Sequence, residues 1–203
     1  LETRDLVNLS TTQLQALTTA QMSQLTTSQI ANLTTSQVAT LETNDVAVLT
    51  NLQVAAFTST QLPVMTTDQL KALTSAQVGA LTSAQLPKLD TAQLVGIDAN
   101  DLKALTTAAI NSLTATQAPG LTTAQIVALE TSQVQALSTS AFEKLTTTQL
   151  VELTTAQVQA LSTAQLVALS TSQANALKNT QFEKLSTAQV ASIETADFAS
   201  LST

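Results

Sequence analysis

The chain has 203 residues with 14 acidic against 7 basic side chains, and its net charge of −7 disfavours attraction to phosphate backbones and anionic membrane surfaces. Hydrophobic residues make up 44% and charged residues only 10%, which is not the profile of a disordered chain. Three Gly and three Pro likewise exclude collagen or a flexible linker.

Self-similarity begins at the first residue. Leu1, Leu9, Leu17, Leu25, Leu33, Leu41 and Leu49 stand eight apart, and the series runs on through Phe57, Met65 and Ile97 to Leu201. No member is polar and no insertion breaks the register, which gives twenty-five octads and the start of another. With Leu1 in slot one, slot two is Ser, Thr, Asp or Glu everywhere except Lys178. Slot three is Thr in nineteen of twenty-six cases. Slot five is Gln in nineteen octads, Asp in four and Ala in two, and slot six is always apolar. The consensus is L-[ST]-T-x-Q-[LVI]-x-A.

Slots two and five form a capping box. A Ser/Thr N-cap accepts from the backbone N–H three residues on, and Gln at that position reaches back to the cap's own N–H. Every octad therefore carries its own helix start, and each predicted helix is about one and a half turns long. In chain order, the octads departing from consensus keep that logic. Asp5, Asp45, Asp101 and Asp197 replace Gln where slot two is also acidic (Glu2, Glu42, Asp98, Glu194), so acceptors and negative charge still sit at a helix N-terminus. Pro63, Pro87 and Pro119 all fall in slot seven, near the predicted end of a helix rather than inside a long one. Gly96 and Gly120 occupy slot eight, where a chain leaving a helix is expected to want a permissive residue. Ala109 and Ala141 stand in slot five.

One continuous helix does not fit. Eight residues advance about 800°, so the Leu row would spiral by about 80° per octad and no coherent buried face would survive. A β-solenoid would send slots one and six to opposite faces of a strand. The expected fold is all-α: a solenoid, or superhelix, of one- to two-turn helices, one per octad, with slots one and six facing inward. A single octad buries too little to order its own backbone, so stacked neighbours must supply the rest. The number of octads per turn stays open, because FEKL recurs 40 residues apart (Phe142 and Phe182) while Pro63 and Pro87 are 24 apart. Residues 1–203 read as one continuous array, beginning and stopping mid-motif, and so expected to be a piece of a longer one. The opening LETRDL carries no signal-peptide pattern, and no apolar run is long enough for a transmembrane helix.

The LTTAQIVAL of Leu121 to Leu129 is locally similar to the helix start of TAL-effector DNA-binding repeats. That similarity covers no base-reading loop, so no nucleic-acid contact is carried over. Over its whole length the octad consensus resembles the tandem TTxQxxAL arrays of very large bacterial surface or secreted proteins, often labelled for heme utilization or adhesion. This resemblance implies a long structural region between other modules, outside the cell or on its surface.

Chemistry-bearing residues are few. Heme would need His, Cys, Met or Tyr, and Met22 and Met65 occupy apolar slots six and one, so no heme is expected. DANDLKAL from Asp98 lacks the central Gly and terminal Glu of a calcium loop, and capping accounts for Asp98 and Asp101. Hydroxyls abound, but no His is present to activate one. The Glu143–Lys144 and Glu183–Lys184 pairs read as solvated surface, and Asn8 and Asn32 begin N-x-[ST] sequons. No catalytic, cofactor-binding or metal-binding residue is assigned, and the chain is expected not to be an enzyme. The expectation is a stalk, spacer or adhesive rod, with a protein or surface partner or self-association in view. A peptide- or protein-binding scaffold using slots four and seven is the alternative, and an ice-binding surface built from the slot-three Thr ladder is a minor one.

Overall fold

The computed structural model describes residues 2–193, so the octad holding Glu194 and Asp197 lies outside the described residues. Among the described residues there are twenty-one α-helices of four to six residues, three 3-10 helices and no strand. The chain divides into two compact units, Leu1–Leu105 and Thr106–Thr203.

The helix Ser75–Gly79 shows how an octad closes. Its N-cap Thr74 is extended (φ −74°, ψ 161°), and its side-chain oxygen accepts from the Gln77 N–H. In return the Thr74 N–H donates to Gln77 Oε1 at 2.7 Å. The Val78 N–H donates to the Thr74 carbonyl at 2.9 Å, and the Leu81 N–H closes onto the Val78 carbonyl at 3.0 Å. Slot one then turns extended, as at Leu129 (φ −60°, ψ 139°), and hands the chain to the next cap. A helix this short leaves nearly all its end N–H and C=O groups without intrahelical partners. Local caps satisfy one end, and packing must satisfy the other.

Slots one and six form the core. From Leu6 to Ala174 every slot-six side chain is at most 3% exposed, and slot one is buried from Leu33 to Leu177. Within each unit, packed helices start three octads apart. Thr19–Ser23 meets Thr43–Val48, and Ser75–Gly79 meets Ala99–Leu102 in the first unit. In the second, Thr107–Asn111 meets Thr131–Ala136, and Thr163–Val167 meets Thr187–Ser192. The 24-residue spacing of the prolines is therefore the structural one, and the 40-residue spacing of FEKL is not.

Two expectations need correction. The octads of Pro63, Pro87 and Pro119 hold not α-helices but a turn followed by the 3-10 helices Leu62–Val64, Leu86–Lys88 and Ala118–Gly120. Proline has no N–H to bond the slot-three carbonyl, so i→i−3 bonds such as Val64 N–H to Gln61 C=O replace the α ladder. The glycines are not used for backbone freedom either, since no described residue has positive φ. Gly79 and Gly96 allow close approach. A Cβ on Gly79 would lie 2.8 Å from the Ala104 carbonyl oxygen, and one on Gly96 would lie 3.2 Å from the Thr67 carbonyl oxygen.

Candidate functional site

The most elaborated polar feature is the buried slot-five glutamine. Gln77 is 2% exposed. While its Oε1 holds the Thr74 N–H, its Nε2 donates to the Val46 carbonyl at 2.9 Å and the Leu49 carbonyl at 2.7 Å. These acceptors, 31 and 28 residues back, are the slot-six carbonyl ending one helix and the slot-one carbonyl after it. One amide thus caps its own helix at the N-terminus and a helix of the preceding turn at the C-terminus. Gln37, Gln53, Gln61, Gln69, Gln85 and Gln93 repeat the crossing in the first unit. Gln149, Gln157, Gln165, Gln181 and Gln189 repeat it in the second, and Gln173 reaches the Glu143 and Leu145 carbonyls. The described part contains no buried side-chain polar atom without a partner. With helices packing 24 residues apart and amides reaching 28 to 31 residues back, a turn takes between three and four octads.

Sequence reading gave these glutamines a local cap and missed the crossing. A signal was available. A capping box accepts Glu as readily as Gln, yet Glu never occupies slot five in twenty-five octads. The side chain absent from slot five is the one that matches glutamine in length but cannot donate.

The acidic octads resolve into different arrangements. The Glu2 N–H donates to Asp5 Oδ2 at 3.3 Å. Asp98 caps its helix by accepting from the Asn100 N–H at 2.8 Å, while Asp101 accepts from the Ser75 hydroxyl of the preceding turn. Asp45 is 4% exposed in a helix whose N-cap, Glu42, makes no side-chain cap bond. Burial, and secondarily the Glu42 carboxylate, raises its acid above the usual Asp range. Lys178 has no acceptor to offer as a cap. Its N–H is held by Gln181 Oε1 at 2.8 Å and its ammonium lies 3.6 Å from Glu152.

Elsewhere the polar groups are solvated or engaged. Met22 and Met65 are core residues, 0% and 3% exposed. Glu143 and Lys144 pair at 3.2 Å on the surface, where such pairs contribute little. The Asn8 and Asn32 amides donate to the Arg4 and Ser28 carbonyls of their own helices. A second crossing bond comes from slot seven: Gln15 Nε2 donates to the Thr40 carbonyl at 2.9 Å and Asn111 Nδ2 to the Ala136 carbonyl at 2.8 Å. Shallow grooves lie between turns. One of about 490 Å³ in the first unit is lined by Thr40, Glu42, Asn44 and Asp68 among others, and one of about 500 Å³ in the second by Glu143, Lys144 and Ser172 among others. Large exposed hydrophobic residues include Val48, Leu52, Val95, Val127 and Val167, spread over slots four, seven and eight. Among the described residues no group of three or more Asp and Glu side chains is placed to hold a metal ion, and no helix is long and apolar enough to cross a membrane.

Octads of one short helix each, joined turn to turn by buried amides, define a tandem helical-repeat protein. The family comparison gives that class its particular type. The chain belongs to the ALTTAQ repeat family, whose model matches residues 1–35, 38–75, 65–91, 94–131, 126–163 and 156–187. No curated protein matches the chain.

Proposed function

We propose that the array is a non-enzymatic structural region, a stalk, spacer or adhesive rod of a large bacterial surface or secreted protein. The observation that carries this reading is where the polar side chains go. Nearly all the glutamines and slot-two hydroxyls, the residues most able to act on a ligand, are committed to backbone groups of the array itself. The unbroken register adds to it, because a region whose task is to span distance tolerates any number of equivalent units. The polar, mildly acidic exterior suits a segment that resists unspecific association.

A spacer lengthens with the number of its repeats. Small-angle scattering on this chain and on versions shortened by three and six octads tests the proposal. The expected result is a maximum dimension that falls in equal steps. A dimension unchanged by shortening contradicts a spacer.

A further inference from the structure

The two FEKL octads differ at slot five. In the later one Gln181 Nε2 donates to the Leu150 carbonyl at 3.0 Å and the Leu153 carbonyl at 2.8 Å, 31 and 28 residues back. In the earlier one the position is Ala141, 0% exposed and without a donor. The carbonyls that stand in the same relation to Ala141 are those of Ile110 and Leu113, inside the second unit. The Ile110 carbonyl keeps the Leu113 N–H at 3.1 Å, but the carbonyl of Leu113, a residue 4% exposed, receives no hydrogen bond. Such a group raises the free energy of the closed junction, and opening to water relieves it.

A substitute link runs the other way at this junction. Asn111, the slot-seven residue directly after Ile110, donates from Nδ2 to the Ala136 carbonyl at 2.8 Å. The first unit repeats the exchange: Asp45 cannot serve the Leu14 carbonyl, and Gln15, directly after Leu14, donates to the Thr40 carbonyl at 2.9 Å. Gln135 and Gln159 hold slot seven after Val134 and Val158, whose carbonyls do receive slot-five amides, and neither makes such a bond. The reversed link is weaker than what it replaces. It is one bond rather than two, and Asn111 is exposed to competing water whereas the crossing glutamines are buried.

We propose that the junction of Ala141 with Ile110 and Leu113 is a built-in yield point of the second unit, and that the Asn111 amide is its latch. The unit opens and recloses there before it unfolds elsewhere, because adjacent turns are held by apolar packing and one solvated bond. The next junction is the contrast within the same unit, since Gln149 gives both amide bonds, to the Ala118 carbonyl at 3.0 Å and the Leu121 carbonyl at 2.6 Å. The octad of Phe182 shows that a phenylalanine in slot six is compatible with a crossing glutamine beside it, so Ala141 is not imposed by Phe142.

Native-state hydrogen exchange, read residue by residue by NMR on the full chain, tests this. The Phe142 and Leu145 N–H groups donate locally at 2.9 and 3.0 Å, much as Leu150 and Leu153 do at 3.0 and 3.2 Å, so a difference in exchange reports the junctions rather than the local bonds. Phe142 and Leu145 should exchange about tenfold faster than Leu150 and Leu153, and Asn111→Ala should speed the first pair about tenfold more while leaving the second unchanged. Ala141→Gln should slow the first pair to match the second and remove the effect of Asn111→Ala. Equal exchange of the two pairs in the unsubstituted chain would overturn the proposal, and that comparison decides even if a variant does not fold. An Asn111→Ala effect that is absent, or unchanged by Ala141→Gln, would overturn the latch. The proposal rests on the junction chemistry rather than on the spacer role, so its failure leaves that role standing.

Discussion

Gln77 illustrates an economy at the level of a single side chain. A primary amide carries an acceptor and donors on one planar group, and here the acceptor closes one helix while the donor closes another 28 to 31 residues away. A carboxylate can do the first but not the second. Asp45 occupies the equivalent position, and the carbonyls a glutamine would reach from there are those of Leu14 and Leu17. Restoring the amide with Asp45→Gln should raise stability by about 1–2 kcal/mol at neutral pH, read from urea unfolding. The gain should depend on pH. The folded-state pKa of Asp45 is raised, first by burial and then by Glu42. Its contribution is therefore fully present below the unfolded value of about 4 and is lost as pH rises through the raised folded value. The advantage of Asp45→Gln should grow from acid to neutral pH. A difference that is constant with pH would show that Asp45 titrates alike in the folded and unfolded chains.

At the scale of the helix, a start signal every eight residues limits each element to four to six residues, too short to be stable alone. Close approach between turns then becomes the controlling contact. Ala is ordinarily favoured over Gly in a helix by about 1 kcal/mol. Gly79→Ala should nevertheless destabilise the chain by about 1–2 kcal/mol, because the added Cβ would sit 2.8 Å from the Ala104 carbonyl oxygen. A lowered melting temperature checks this, and a raised one would mean that the neighbouring turn yields freely. The helix starts were legible in the sequence because a cap and its partner are three residues apart. The fate of Gly79 was not, since it depends on a residue 25 positions on, and nothing local distinguishes a glycine kept for space from one kept for φ. The prolines were legible as helix-limiting, but not as switching their octads to 3-10 geometry.

For the whole array, equivalence of the octads makes register the conserved quantity. Removing residues 154–161, one full octad, shifts every later glutamine onto another set of slot-six and slot-one carbonyls and should leave a cooperative melt within a few degrees of the original. Removing residues 154–157 puts polar slots against the core and should abolish that melt. Calorimetry distinguishes the two, and equal damage from both would argue against interchangeable octads. The same equivalence explains why the number of octads per turn was hidden. Identical units carry no phase mark, so Pro63 to Pro87 and Phe142 to Phe182 suggested different turns. The crossing amides were hidden for a related reason: once Oε1 accounts for a glutamine locally, only the absence of Glu from slot five hints at a second duty. The central claim, that slot-five glutamines join one turn to the next, is tested most directly by comparing Gln77→Glu with Gln13→Glu. Both residues cap their own helices, but only Gln77 crosses. At neutral pH, urea unfolding should show Gln77→Glu costing about 2–4 kcal/mol, with a carboxylate facing two carbonyls, and Gln13→Glu less than about 0.5 kcal/mol. Equal costs for the two substitutions would contradict it.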